Sequence, residues 1–393
     1  MIYETPRLQE IELEAIAKIE ERRKSLRFRV AEPRRWYGGL RRLVFAKAVQ
    51  GSNSIEGYHA SLEDVMAAVE NEEALDAATE TVSALQGYRD AMTYVLQLAD
   101  DVDFDINEQL VRSLHFMMMK YDLSKRPGRY RLGAIFVQRE SDGETVYEGP
   151  PAEMVPGLMG ELLDCVHAHD GPVLVRAAMA HLSLVMIHPF SDGNGRMGRC
   201  LQTLVLARER IVSPVFSSIE EYLGRNTQPY YDILEKVGRG EWHPEHDARA
   251  WIRFCLNAHY QCAETMLWRV QEAEELWDVC WNFALTRRLP ERVVGPLSDA
   301  ARGLRIRNAS YRVAVEESEG DVIDVPTASR DLRALVGCGL LASHGETRGR
   351  YYVRSAELLN AFKKIRAKKP KFENANLFGV EGQQRLSLTD LAN

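Results

Sequence analysis

Apolar residues recur every three or four positions through most of the chain, and few stretches alternate as a strand does. This spacing predicts helices from Leu8 to about Val95 and over an apolar run at 173–187. Further helices are predicted at residues 106–121, from Met154 through "GLMGELLDCVHAH", and at 200–209, 228–237 and 247–289. The pattern therefore predicts a mainly α-helical fold.

Two segments break the helical pattern. In "GRYRLGAIFVQRESDGETVYEGPP", the β-prone runs "AIFV" and "TVY" flank the turn signal "SDG", which predicts a β-hairpin over residues 131–148. Near the C-terminus, "SRDLRALVGCGLLASHGETRGRYYV" combines a helix at 329–336, a glycine-broken corner and two short strands around "GETRG". With a helical segment before it, this order predicts a winged helix-turn-helix domain.

Two roles are open for this C-terminal domain. Arg330 and Arg333 on the recognition helix, with Arg348 and Arg350 in the wing, would meet DNA phosphates and base edges. The other role is protein docking or plain structure.

Composition narrows the class of protein. A chain of 393 residues, 45% hydrophobic and 27% charged, is typical of a soluble globular protein of two or three domains. The net charge of −7 argues against a nucleic-acid binder as a whole, so such a role needs a local patch. Residues Arg22 to Lys47 are basic with one acid, Glu32, and are interpreted as a solvated face, with a partner-docking or nucleic-acid surface as the alternative.

Cysteine usage and hydropathy bear on location. The six cysteines include no CxxC pair, which argues against a zinc ribbon or a disulfide framework and fits a reducing compartment. No apolar run approaches the ~20 residues of a membrane-spanning helix, and the N-terminus lacks the apolar region of a signal peptide. We expect a cytoplasmic protein without a membrane partner.

The candidate chemistry lies in "HPFSDGNGRMGR", residues 188–199, directly after the apolar helix. Pro189 ends that helix and leaves His188 at the mouth of a loop, where a neutral imidazole can accept a proton from a hydroxyl. Gly193 and Gly195 let successive backbone amides converge on an anion, and a helix beginning near Arg196 would add its positive end.

The charged residues of this segment extend the same interpretation. Arg196 and Arg199 lie three apart on one helix side and can both reach phosphate oxygens. Asp192 is placed to hold Mg²⁺, and Phe190 is expected to anchor the loop in the core. No serine or cysteine is paired with His188, so the hydroxyl belongs to another molecule. The chain lacks GxxxxGK[ST], which argues against an ordinary ATPase.

These twelve residues match in full the signature of the Fic family, HPFx(D/E)GN(G/K)RxxR, and the resemblance covers roughly residues 40–260. Fic proteins are helical and transfer AMP from ATP to a hydroxyl of a target protein (AMPylation). The resemblance implies that His188 is the general base and Asp192 the Mg²⁺ ligand. It implies ATP contacts, mainly to phosphates, for the rest of the motif: Gly193, Asn194, Gly195, Arg196, Met197, Gly198 and Arg199, the last at the γ-phosphate.

The resemblance also implies roles outside the motif. The hairpin 131–148 corresponds to the family's flap, which holds the target segment as an added strand, and Val137 and Gln138 are implied to touch the nucleotide. In "NTQPYYDILEKVGRG", Tyr230 and Tyr231 are implied to contact adenine. Gly238 stands near where some relatives carry an asparagine.

A second motif, "SNSIEG" at residues 52–57, resembles the family's inhibitory motif (S/T)xxxE(G/N). Ser52 and Glu56 are four apart and share a helix face, and Gly57 suits the helix end. The resemblance implies that Glu56 pairs with Arg199 and keeps the γ-phosphate out of place. Removal of AMP by such an inhibited protein is a further possibility.

Other histidines carry no prediction of chemistry. His181 is interpreted as a packed core residue. His167 and His169, and likewise His243 and His246, lack a third ligand with convincing spacing and are interpreted as loop histidines.

Together these features predict a self-inhibited Fic adenylyltransferase, by resemblance a homodimer, whose target is a protein and includes the chain itself. A DNA-binding regulator that senses nucleotide through a Fic fold is the alternative, as is a Fic transferase with another donor, such as UMP, phosphate or phosphocholine. The predicted regions are an N-terminal helical region with the inhibitory helix (1–100), a Fic catalytic core (101–260), a helical connector (261–295), a winged helix-turn-helix (296–358) and a tail (359–393).

Overall fold

The computed structural model is mainly α-helical, as the hydrophobic spacing predicts. It describes residues 1–30, 34–70, 77–101, 103–139, 143–168, 170–208, 213–346, 349–370 and 376–379. Among these residues, no helix is long and apolar enough to cross a membrane. All six cysteines are free thiols.

The first three-quarters of the chain form one large hydrophobic core, which includes residues from Ile2 to Leu304. The predicted division at residue 100 does not separate two cores, because helices from both sides of it pack together. The helices that build this core are α1 (Glu10–Val30), α2 (Tyr37–Ile55), α3 (Leu62–Val69), α4 (Thr79–Leu98), α5 (Glu108–Met119), α6 (Val155–His167), α7 (Val173–Ile187), α8 (Asn194–Arg208), α9 (Pro214–Ser217), α10 (Glu220–Arg225), α11 (Thr227–Gly238) and α12 (Arg249–Thr286). Short 3₁₀ turns lie at Leu123–Lys125 and Ala152–Met154.

Helix α7 occupies the centre of this core and has the bounds that its apolar run predicts. It is buried on nearly every side, as expected for a helix without a polar face. It packs against α6, α8 and α12. Helix α8 begins at Asn194, two residues before the predicted start.

Helix α2 crosses α10 at backbone contact. A Cβ at Gly51 would lie 2.4 Å from the carbonyl oxygen of Glu220, and one at Gly224 would lie 2.6 Å from the Cα of Gly51. Side chains larger than hydrogen do not fit between these backbones. The C-terminal half of α2 is therefore held tightly against the core.

A small sheet lies beside the C-terminal end of α7. Strands β1 (Phe136–Gln138) and β2 (Thr145–Glu148) pair antiparallel and confirm the predicted hairpin; residues 140–142, which include most of its turn, lie outside the described residues. A short strand that the sequence did not predict, β3 (Gly240–Glu241), pairs parallel with β2. In the order β1-β2-β3, β1 is an edge strand.

A second hydrophobic core lies at the C-terminal side. Helix α12 contributes to both cores, so the predicted boundary at residue 260 falls inside one continuous helix. The elements of this core stand in the order that the winged-helix prediction requires, and Ile306 forms a bridge to Tyr352. They are α13 (Val294–Arg302), α14 (Asn308–Glu319), α15 (Val325–Gly337), β4 (Leu341–His344), β5 (Tyr351–Arg354) and α16 (Ala356–Arg366), with a 3₁₀ turn at Glu291–Val293 before them.

Helix α16 corrects the predicted tail. The tail was expected to begin at residue 359, but Leu358, Phe362 and Ile365 bury one face of α16 in the second core. Their spacing of three and four residues is helical, so this stretch belongs to the C-terminal domain.

The basic run at Arg22–Lys47 is not uniformly a solvated face. Arg42 of α2 has a side chain only 8% exposed, and it forms ion pairs with Asp299 of α13 and Glu317 of α14. Its Nε lies 3.2 Å from a carboxylate oxygen of Glu70. The solvated-face interpretation is wrong for this residue, because its charge joins α2 to the C-terminal domain. These contacts are long-range and leave no local sequence signal.

We predict that Arg42→Ala lowers the free energy of unfolding by about 3–5 kcal/mol, because it removes the buried counter-charge of Asp299, Glu317 and Glu70 and leaves Asp299 only its weaker contact with Arg302 at 3.5 Å. Urea unfolding followed by circular dichroism measures this. The matched control is Lys368→Ala, which removes an exposed pair with Glu275 and should cost less than about 1 kcal/mol. Equal effects of the two substitutions would contradict the structural importance of the Arg42 cluster.

Candidate functional site

His188 is the residue at which α7 stops. Its φ of 50° and ψ of 57° are left-handed, a conformation that costs a residue with a Cβ roughly 1–2 kcal/mol. Its amide still donates to the carbonyl of Leu184 at 3.0 Å, and Pro189 follows. The strained turn directs the chain away from the helix axis and begins the loop to α8.

Arg131 holds this turn in place. Its Nε donates to the carbonyl of His188 at 2.8 Å, and Nη1 donates to the carbonyl of Gly133 at 2.6 Å. Its Nη2 donates to the carbonyl of Pro150, and its backbone amide donates to Pro189 at 2.9 Å. Arg131 is buried and ties the loop to both ends of the hairpin. No local sequence pattern indicates this role, because all of these acceptors are backbone carbonyls.

The imidazole of His188 is held in one tautomer. Nδ1 donates to the carbonyl of Val185 at 3.1 Å, which leaves the lone pair on Nε2. Burial lowers the pKa of His188 to about 4, and the charge of Arg131 acts in the same direction. The ring is therefore neutral at pH 7 and able to accept a proton at Nε2.

Buried side chains hold the loop between α7 and α8 in place. The ring of Phe190 is fully buried and stacks on His115 at 3.7 Å, which confirms the predicted anchor. Nδ1 of His115 accepts from the amide of Gly128 at 2.8 Å, so Nε2 carries the proton and donates to the carbonyl of Asp192 at 2.9 Å. The side-chain amide of Asn194 closes the loop through the backbone N–H and C=O of Phe190, both at 2.9 Å. His115 was not singled out from the sequence.

The N-terminus of α8 presents unpaired amides. The first helical hydrogen bond runs from the amide of Met197 to the carbonyl of Gly193 at 2.9 Å. The amides of Asn194, Gly195 and Arg196 precede it and have no carbonyl to bond within the helix. Together with the positive end of the helix dipole, they form an anion site.

A carboxylate of the same chain occupies the space in front of this site. Glu56 follows the last residue of α2, and its Oε1 accepts from Nη2 of Arg199 at 2.6 Å. A Cβ at Gly195 would lie 2.4 Å from that same oxygen, so the carboxylate rests directly on the first turn of α8. The contact between Glu56 and Arg199 is the one implied by the inhibitory motif.

Arg199 is held by hydrogen bonds to α2, and one of its guanidinium nitrogens has no hydrogen-bond partner among the described residues. Its Nε donates to Oγ of Ser52 at 2.8 Å and its Nη2 to the Ser52 carbonyl at 2.9 Å. The side chain is 1% exposed; burial acts to lower the pKa, but the facing carboxylate of Glu56 more than offsets this and the pKa is raised. Nη1 has no hydrogen-bond partner among the described residues and lies beside Gly195.

The remaining motif residues differ in their surroundings. Arg196 is buried and donates to the Tyr121 hydroxyl at 3.3 Å. Met197 is fully buried, and a Cβ at Gly198 would lie 2.7 Å from the ring of His181. Both residues are packed inside the protein. Only their backbone atoms remain as candidates for the implied ATP contacts, which stay a prediction. His181 is the buried core residue that was predicted.

The implied adenine contacts separate into two cases. Tyr230 is 1% exposed, its ring lies beneath the guanidinium of Arg199 at 6.0 Å, and its hydroxyl meets Nε2 of His181 at 3.1 Å. Its ring has no accessible face in this conformation, so its adenine contact is not supported here. Tyr231 is half-exposed and donates to the carbonyl of Ile55 at 2.8 Å, at the end of α2. Its contact stays a prediction.

The other predicted residues lie at the surface. Asp192 has a side chain 33% exposed, and its carboxylate accepts from the amide of Gly193 at 2.6 Å and faces Nζ of Lys125 at 3.4 Å. Val137 and Gln138 lie on the edge strand β1.

The basic residues singled out for DNA contact are also on the outside. Arg330 and Arg333 are exposed on α15, and Arg350 is exposed before β5. Arg348 lies outside the described residues. Exposure alone does not distinguish DNA from protein as a partner, and the DNA role stays a prediction.

Part of the chain is similar to proteins of a known family. Residues 105–206 match the family model described as "Fic/DOC family". A protein named "Protein adenylyltransferase Fic" from Nematostella vectensis is 27% identical over 253 residues, which cover 63% of this chain and 55% of that protein. The chain spans about half the length of the curated relatives it matches.

Solved structures share the fold. A Fic family protein from Desulfovibrio desulfuricans G20 superposes with a TM-score of 0.57 at 22% identity. The superposition covers 90% of this chain and 99% of that protein's chain. A Fic domain containing signaling protein from Bacteroides thetaiotaomicron superposes with a TM-score of 0.52 at 21% identity, over 66% of this chain and 97% of its own. The segment that matches the Fic/DOC family model, residues 105–206, contains the left-handed His188, the loop held by Phe190 and Asn194, and the N-terminus of α8, so the chain carries a Fic domain over these residues.

Proposed function

We propose that this chain is a protein adenylyltransferase that transfers AMP from ATP to a serine, threonine or tyrosine hydroxyl of a protein. The observation that carries the proposal is the pairing of a neutral, oriented His188 with an anion site at the start of α8. Relatives that bear the name protein adenylyltransferase support it.

His188 acts as the general base. Nε2 takes the proton of the target hydroxyl as its oxygen attacks the α-phosphorus of ATP. The bond between the α-phosphorus and the bridging oxygen to the β-phosphate breaks, and pyrophosphate leaves. The products are the AMP ester of the target, pyrophosphate and a protonated imidazole, which returns its proton to solvent.

The start of α8 binds the phosphates. The amides of Asn194, Gly195 and Arg196 supply hydrogen bonds and the helix end supplies partial positive charge. The unpartnered Nη1 of Arg199 supplies a further donor for a γ-phosphate oxygen. Phosphate recognition explains why both glycine and arginine are needed in this segment.

Mg²⁺ fits the same site. Magnesium binds one or two carboxylates together with substrate phosphates, and Asp192 offers a partly exposed carboxylate next to the phosphate-binding amides. Asp192 would hold the ion, which when bound neutralises phosphate charge.

The target docks on the hairpin. Strand β1 is an edge strand, so its outer backbone groups are available to an added strand of the target. Val137 and Gln138 lie on that edge, on the hairpin that Arg131 ties to His188. Strand addition would bring a hydroxyl of the target towards the imidazole. The chain's own exposed hydroxyls are included among the targets.

Glu56 inhibits the transfer. Its carboxylate holds Arg199 and covers Gly195, which are the groups proposed for the γ-phosphate. A guanidinium N–H bonded to a carboxylate is not available to a phosphate. Each ~1.4 kcal/mol of preference for this closed state lowers productive ATP binding about tenfold.

We predict that Glu56→Gly raises AMP incorporation at least about tenfold, because it frees both Arg199 and the first turn of α8. Mass spectrometry after incubation with ATP and Mg²⁺ should find the added mass of AMP on the chain itself. Addition of phosphate instead would assign another donor chemistry.

The control for this experiment is the double variant Glu56→Gly, His188→Ala. We predict that it binds ATP and transfers no AMP, because the anion site is kept and the base is lost. Equal transfer with and without His188 would contradict the enzymatic function and favour a nucleotide-sensing regulator.

We predict that kcat/KM of the Glu56→Gly variant is flat from pH 8 down to about 5. His188 works only when unprotonated, and burial holds its pKa at about 4, so the base is lost only as pH falls through that value. An inflection near 6.5, the value of an unperturbed histidine, would contradict this. Circular dichroism at each pH shows that the fold is retained.

A further inference from the structure

A cluster of metal-binding atoms lies in the loop between β3 and α12, outside the site described above. His243, Glu245 and His246 each offer one atom, and these atoms lie within 4.8 Å of one another. From the sequence alone, the two histidines are interpreted as loop residues because a third ligand with convincing spacing is lacking. The structure supplies that ligand, because the turn at Pro244 brings a carboxylate oxygen of Glu245 to 2.8 Å from Nδ1 of His243.

The two imidazoles are oriented as metal-ligating histidines are. Nε2 of His243 lies 2.9 Å from a carboxylate oxygen of Glu241, which leaves Nδ1, 2.8 Å from Glu245. Nδ1 of His246 donates to the carbonyl of Val237 at 3.2 Å, which leaves Nε2. Metal-bound histidines typically hold their other nitrogen with a carboxylate or a backbone carbonyl, and this cluster has one of each.

The loop is held by its surroundings. The amide of His246 donates to the carbonyl of His243 at 3.1 Å, and the two rings lie 5.1 Å apart at 35°. The neighbouring Trp242 packs edge-on against Tyr3 at 5.6 Å. The turn that carries the three ligands is therefore held in place by neighbouring residues. Their ligand atoms need to move only a short distance to coordinate an ion.

We propose that His243, Glu245 and His246 bind one Zn²⁺ ion, with solvent in the fourth position. Two imidazoles and one carboxylate are ligands that zinc accepts, whereas Mg²⁺ and Ca²⁺ prefer sets of oxygen atoms. Glu241 is the positioning residue that orients His243. This site is chemically distinct from the single carboxylate of Asp192.

The ion would join the loop to β3 and α11, whose residues hold the two histidines. Glu241 belongs to β3, which pairs with β2 of the hairpin, and Val237 belongs to α11. Zinc at this loop therefore stabilises the sheet from which the edge strand β1 extends, without entering the transfer reaction. The inference does not depend on the proposed adenylyltransferase activity.

Isothermal titration of the full-length, tag-free and metal-stripped chain with ZnCl₂ tests the site. We expect one equivalent of Zn²⁺ with a Kd of about micromolar or below, and at least a tenfold weaker Kd for His243→Ala and for His246→Ala. Glu241→Gln should weaken binding about tenfold, because it affects only the orientation of His243. Zinc should also raise the melting temperature of the wild-type chain and not that of the histidine variants.

The matched control is His167→Ala, since His167 forms an exposed pair with Asp105 at 2.7 Å and has no place in the cluster. Asp192→Ala separates the site from the proposed Mg²⁺ site. Both variants should bind Zn²⁺ as the wild type does. Absence of a stoichiometric site, or equal affinity in His246→Ala and wild type, would overturn the proposal. Circular dichroism of each variant shows that lost binding is not lost folding.

Discussion

The contact between the Glu56 carboxylate and the Arg199 guanidinium fixes the state of this molecule. It places a carboxylate of the chain itself beside Gly195 in the first turn of α8, at a helix N-terminus that attracts anions. Ser52 holds the same guanidinium from α2. The charge of the buried Arg199 is thus balanced and its orientation fixed, and Glu56 fills the space proposed for phosphate in the motif that also holds His188.

Helix α2 holds Glu56 at this position because contacts at Gly51 and at Arg42 fix the helix against the rest of the protein. Gly51 and Gly224 allow the backbones of α2 and α10 to touch, which fixes the position of α2 a few residues before Glu56. At the other end, Arg42 joins α2 to Asp299 and Glu317 of the C-terminal domain. One helix therefore connects the second hydrophobic core to the first turn of α8.

Much of the fold could be predicted from local sequence patterns. The features that could not be predicted depend on contacts between residues that are distant in sequence. The apolar run 173–187 gives α7 its bounds because a helix without a polar face has no surface position to take. In the motif 188–199, residue types alone predicted that α7 ends before His188 and that a new helix begins a few residues later; the base and the phosphate site themselves stay proposals. Arg131 and His115 escaped notice because their partners are backbone atoms distant in sequence. The solvated position predicted for Arg42 is wrong because its carboxylate partners, Asp299 and Glu317, are distant in sequence.

Crystal structures of the wild-type chain and the Glu56→Gly variant, each soaked with ATP and Mg²⁺, test the central claim most directly. In the variant, a γ-phosphate oxygen should lie within hydrogen-bond distance of Arg199, in the space that the carboxylate fills here. In the wild type, Arg199 should remain bonded to Glu56. A γ-phosphate on Arg199 in both structures, with the contact to Glu56 intact, would contradict the account.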